Sequence, residues 1–245
     1  MAASHQYVWL FWSTAFLCPW LVLYVYWPEL RAQMVRVSGL TSLLGLTEPI
    51  FVPAYWNPPT LFDLAQRTGF DLESLVFCFA IGGIATVAYN AFTGGTARAM
   101  TGAERRSAGH RFHRFALAAP FLAFPPLYFL PWNPIYAGIV ALAAGGGANV
   151  ACRPDLARKT AVGGAVFALL YGAFMLLLRA WAPGYIEHVW NLPGLSGVLI
   201  AGIPLEELLF GFAFGLYWAG VYEHFVWRTH QPTRGVRVAT QGEYE

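Results

Sequence analysis

The chain has 245 residues, of which 57% are hydrophobic, 17% aromatic and only 11% charged, with a mean hydropathy of +0.49. A soluble domain carries about 25% charged residues, so this composition argues against a soluble enzyme, a disordered chain or a disulfide scaffold, and for an integral membrane protein. Fifteen Lys plus Arg against 13 Asp plus Glu leave a formal charge of +2, too small to point to a nucleic-acid partner.

A membrane span needs about 20 mostly apolar residues to cross roughly 30 Å of hydrocarbon, and seven runs meet that need. The first, Tyr7 to Trp27, has no basic region before it and no small-residue cleavage site after it, and reads as a retained span. The second, Met34 to Ala54, carries Glu48 beside Pro49 at an expected kink, which makes Glu48 a candidate for lining a site. The third, Asp71 to Phe92, opens on Asp71, Glu73 and Ser74. An arginine-rich loop follows, whose His110 and His113 are expected to meet lipid headgroups and not a metal. The fourth run, His113 to Pro131, turns tightly through Pro131-Trp132-Asn133-Pro134 into the fifth, Asn133 to Cys152. Lys159 to Trp181 and Ile203 to Trp227 complete the set, and the tail from His230 to Glu245 is expected to be disordered.

The runs are continuous and lack the alternation of a barrel strand, so the fold class is an all-α, polytopic helical bundle. Cys18, Cys78 and Cys152 lie in apolar runs without metal-ligand spacing and are expected to be lipid-facing or packing residues. No phosphate loop, dinucleotide fingerprint or metal-spaced His/Cys cluster appears, so neither a metal nor another cofactor is expected. The only lysine, Lys159, stands at the start of a run, which argues against a retinal attachment.

With seven spans, thirteen of the fifteen basic residues fall on one face, leaving only Arg67 and Arg179 on the other. The positive-inside rule then puts the N-terminus outside and the C-terminus in the cytoplasm, in a plasma or inner membrane. Sliding the chain by 133 residues aligns Gly69, Leu72, Glu73, Leu75, Phe77, Phe79, Ala80, Gly82, Tyr89 and Phe92 with identical residues from Gly202 to Phe225. Flanking matches pair Pro28-Glu29-Leu30 with Pro154-Asp155-Leu156, and Tyr55-Trp56-Asn57 with Val189-Trp190-Asn191. Two parallel three-helix repeats joined by an extra helix follow: residues 1–94, a basic loop and linking span at 95–132, the second repeat at 133–227, and a cytoplasmic tail at 228–245. Sites in such bundles commonly form where repeats meet.

Both halves carry acids at the start of their third helix: Asp71 and Glu73 in one, Glu206 and Glu207 in the other. A charge within a span costs about 2.5 to 3.5 kcal/mol on insertion scales, so such groups are functional suspects, although an acid at a helix start also caps it. Pro204-Leu205-Glu206-Glu207-Leu208-Leu209-Phe210, preceded by Trp190-Asn191 and followed by Tyr222-Glu223, resembles the signature of the membrane-integral, flavin-independent lycopene cyclases. In the first half Asp71 and Ser74 stand where that family has a proline and a second acid, so only Glu73 transfers cleanly.

The resemblance implies carotenoid biosynthesis: redox-neutral cyclisation of a linear carotene end group, in which a carboxylic acid protonates a terminal alkene. It implies Glu206 as the acid, Glu207 as the group that tunes it or takes the final proton, and Glu73 and Asp71 facing them. Aromatic faces attract cations, and Phe210 and Tyr217 lie at i+4 and i+11 from Glu206, with Phe77 matching Phe210. On this reading Glu206→Gln abolishes activity while the protein still inserts. Trp56 and Trp190 read as interfacial anchors, and Asn90 and Glu223 as helix-end polarity. The implied partners are a hydrophobic isoprenoid or carotenoid, the bilayer, and an oligomer or carotenoid-enzyme complex. The altered first motif favours an alternative, a non-catalytic pigment-, quinone- or lipid-binding protein or a subunit of a membrane complex.

Overall fold

A computed structural model of the chain describes residues 5–94 and 96–231; the expected disordered tail lies, from residue 232 on, outside the described residues. The chain is mostly helical. Helices α1 (Val8–Ala15) and α2 (Leu17–Tyr26) run end to end as one rod. Helix α3 (Arg31–Ser42) tightens into a 3-10 stretch and ends as the short α4 (Glu48–Phe51), with Pro49 in its first turn. After the short α5 (Leu64–Thr68) comes α6 (Leu72–Thr93), whose start is set by the Asp71 carboxylate accepting the Ser74 N–H at 2.5 Å.

Strand β1 (Thr96–Ala99), α7 (Gly102–Arg105) and α8 (His113–Tyr128) follow. The turn into α9 (Pro134–Cys152) is fixed by Asn133, whose side chain caps Ile135 at 3.1 Å, and by Pro134 at the first helical position. Then come α10 (Ala157–Trp181), α11 (Tyr185–Val189), a hairpin of β2 (Leu199–Ile200) and β3 (Ile203–Pro204), and α12 (Leu205–Phe225). Strand β4 (Arg228–Gln231) closes the described chain by pairing antiparallel with β1, so the first four tail residues are ordered against the arginine-rich loop.

Among the described residues, four helical segments are long and apolar enough to cross a membrane: Val8–Tyr26, Leu72–Thr93, Pro134–Cys152 and Pro154–Trp181. The other three expected runs fall short for separate reasons. The second is interrupted by its 3-10 stretch, α8 is 16 residues long with three internal prolines, and α12 has the length but carries Glu206, Glu207 and Glu223.

Helices α6 and α12 are the most enclosed, and glycine is what lets their neighbours approach. A Cβ on Gly82 would stand 1.9 Å from the Thr41 hydroxyl of α3, and one on Gly215 would stand 2.8 Å from Phe167 Cβ and 2.9 Å from Gly164 Cα of α10. Small residues are the usual means of close helix packing in lipid, where no hydrophobic force acts between helices. The matched loops also meet: Asn57 N–H donates to Val189 O and Asn191 N–H to Tyr55 O, both at 2.9 Å, bringing Trp56 and Trp190 together.

At the arginine-rich end the interior is polar. Lys159 and Glu223, both almost fully buried, form an ion pair to which Asn90 adds a hydrogen bond at 3.2 Å. Asn90 and Glu223 are therefore partners across the two long helices and not independent helix-end polarity. Buried Arg153 binds Asp155 through two nitrogens at 2.7 and 2.6 Å.

Candidate functional site

The acids at the starts of α6 and α12 are not equivalent. A helix turns about 100° per residue, so Glu206 and Glu207 leave α12 in different directions. Glu206 accepts the Tyr136 hydroxyl of α9 at 2.6 Å and the Ser196 N–H at 2.8 Å, pinning the segment before the β2–β3 hairpin. Glu73 does the matching job on α6, accepting the Leu61 N–H at 2.6 Å. Asp71 is the helix cap. None of these three lines the main cavity, whereas Glu207 and Glu48 both do.

That cavity has a volume of about 290 Å³ and lies between the motif-bearing ends of α6 and α12 and the surrounding helices. Its wall is overwhelmingly aromatic and aliphatic. From α12 come Glu207, Phe210, Phe214, Tyr217 and Trp218, at i, i+3, i+7, i+10 and i+11, which is one face of a helix. Phe210 and Tyr217, counted in the sequence from Glu206, line the cavity together with Glu207, and Glu206 does not. Helix α6 contributes Ser74, Phe77 and Cys78, α10 contributes Tyr171 and Phe174, and α8 contributes Pro120, Phe121 and Phe124.

Glu207 is buried and held by three donors. The Tyr55 hydroxyl and the Trp190 indole N–H, the latter at 2.7 Å, donate to Oε1, and the Tyr171 hydroxyl donates to Oε2. Three donors and no acceptor describe a binding cage for a carboxylate. Tyr55, Tyr171 and Trp190 were not singled out as site residues. Trp190 is 6% exposed, so it is a donor to the site and not an interfacial anchor, and Trp56 packs against it with ring centroids 5.4 Å apart.

Glu48 is placed differently. Its Oε2 lies 3.1 Å from the Ser74 hydroxyl, and its Oε1 is buried with no partner among the described residues. The same hydroxyl lies 3.1 Å from Asp71 Oδ2. A serine hydroxyl holds one proton, so it satisfies two carboxyls only if one of them is itself protonated. Asp71 takes the Ser74 backbone N–H as well and is suited to be the anion; Glu48 is the group suited to hold the proton. Ser74 occupies the sequence position matched to Glu207, so the second acid missing from the first motif has a spatial substitute reaching in from α4.

The arrangement can give up a proton at one wall, hold positive charge against aromatic faces and an anion, and take a proton back, in a space lined mostly by apolar side chains. The family model described as Lycopene cyclase matches residues 133–225, from α9 to the end of α12. Among curated proteins and among solved structures, no match to the chain was found.

Proposed function

From the match of residues 133–225 to the family model described as Lycopene cyclase, we propose that the whole chain cyclises an end group of a linear carotene without net redox change. One observation carries the proposal: a single apolar cavity joins Glu207, caged by three donors, to Glu48, whose Oε1 has no partner among the described residues. Glu48 delivers its carboxyl proton to the terminal alkene. The neighbouring double bond attacks the resulting cation and closes the ring, and Glu207 accepts the proton that leaves. One proton is added and one removed, so the product is an isomer of the substrate, and proton exchange with solvent resets the two acids.

The carbocation is long-lived only where nothing captures it. Phe77, Phe210 and Tyr217 line the cavity, and aromatic faces stabilise cations by about 0.5–2 kcal/mol. A volume of about 290 Å³ suits one end of a long polyene, with the remainder of the chain outside the cavity. Glu206, Glu73 and Asp71 act as positioning residues that hold the loops around this end group. We read the halves 1–94 and 133–227 as repeats joined through 95–132, with the arginine-rich end on the cytoplasmic side. The pairing of Tyr55–Asn57 with Val189–Asn191 and of Asn90 with Glu223 supports that reading.

Expression in a host that accumulates lycopene tests the proposal. The wild-type chain is expected to convert lycopene to monocyclic or bicyclic product, and Glu48→Gln to leave it linear. Absence of cyclic product from protein shown to be folded in the membrane would overturn it.

A further inference from the structure

Three side chains from distant parts of the sequence converge at the arginine-rich end, well away from the cavity. His113 stands at the start of α8, Cys152 is the last residue of α9, and His224 lies one residue from the end of α12. All three are buried, His224 completely, and one ligand atom from each lies within 4.8 Å of the other two. Cys152 Sγ is 3.9 Å from His113 Nδ1, and the two imidazole centroids are 4.2 Å apart. Neither ring nitrogen of His224 has a hydrogen-bond partner among the described residues.

A buried imidazole with two idle nitrogens is costly, because each unsatisfied buried polar group forfeits its hydration. Coordination would satisfy one of the two nitrogens. With metal–nitrogen bonds of about 2.0–2.1 Å and a metal–sulfur bond of about 2.3 Å, tetrahedral or trigonal ligands sit about 3.3–3.8 Å apart, so ligand atoms at the outer limit of 4.8 Å would close in by about 1.0–1.5 Å on binding. Two imidazoles and a thiolate are borderline to soft donors, which suit zinc or copper(I) and not magnesium or calcium. Arg153, next to Cys152 in the chain, is already matched by Asp155. Trp227 stacks on His113 at 3.9 Å with planes 9° apart and fixes the ring that would bind.

We propose that His113, Cys152 and His224 hold one d10 metal ion, zinc or copper(I), which ties the ends of α8, α9 and α12 together. The sequence concealed this site because its ligands are 39 and 72 residues apart along the chain and match no ligand spacing.

The test uses the full chain in detergent, purified through a tag without histidine, loaded with cobalt(II) as a zinc stand-in or with copper(I) under reducing conditions, then dialysed. One ion retained per chain and a sulfur-to-cobalt charge-transfer band are expected. Cys152→Ser should abolish the band, and His224→Gln should weaken retention by at least about tenfold. Wild-type protein that keeps neither ion, or a Cys152→Ser variant that keeps as much, would overturn the proposal. If Cys152→Ser does not accumulate, alkylation of Cys152 in the wild type gives the same information: protection by the metal is expected, and an unchanged rate refutes the site.

Discussion

Replacing Glu207 by glutamine changes the charge of the caged group and little of its shape. Oε1, which takes Tyr55 and Trp190, can remain an oxygen, while the amide nitrogen takes the place of Oε2 opposite Tyr171. The indole N–H has no lone pair and fixes that orientation, whereas the Tyr171 hydroxyl can turn from donor to acceptor. The fold should therefore survive, at a cost within about 1–3 kcal/mol for a weakened buried contact. The amide cannot accept the departing proton or oppose the developing cation, and loss of a positioned general base costs about 10²–10⁴-fold, equivalent to about 2.7–5.4 kcal/mol of barrier. Initial rates of cyclic product formation from lycopene in vesicles, with the amount of inserted protein measured in parallel, check this. Wild-type turnover by inserted Glu207→Gln would refute the assignment of Glu207 as the proton acceptor.

Glu206→Gln is expected to keep most of the activity, because the amide oxygen can still accept Tyr136 and Ser196 while its nitrogen replaces the unpartnered Oε2; complete loss would return the acid to Glu206, as the motif alone implies. Gly215→Ala should lower the apparent melting temperature in detergent. Its Cβ would press on the backbone of Gly164 and on Phe167, and overpacking of this kind costs about 1–3 kcal/mol. Gly147→Ala, with nothing within 4 Å of its Cβ, is the control, and an equal loss in both would mean that α10 and α12 are not held by that contact.

The helices were legible in the sequence because lipid imposes a length and a composition on every span, and the loop matches at Trp56 and Trp190 were visible as text. What that text means was not. Aromatic residues are so common here that Tyr55, Tyr171 and Trp190 gave no signal above background, and reading two tryptophans as anchors hid the one that binds the acid. The Glu206-Glu207 pair showed that an acid was present, but which of two adjacent residues faces inward depends on the rotation of α12, set by its packing on α9 and α10. Glu48 was noticed at its kink without a partner, since its link to Ser74 spans 26 residues. The cluster at His113 and the Lys159–Glu223 pair were missed for the same reason: both are made by helices that meet only in three dimensions.

Cyclisation carried out in deuterium oxide tests the central claim most directly. A proton taken from an exchangeable carboxyl ends on a carbon of the new ring, and the proton lost comes from the substrate, so each ring formed should carry one deuterium that mass spectrometry can count. Cyclic carotene with one deuterium per ring is the expected product of the wild-type chain. Failure to form any cyclic carotene, or a ring formed without deuterium, would contradict proton-initiated cyclisation by this protein.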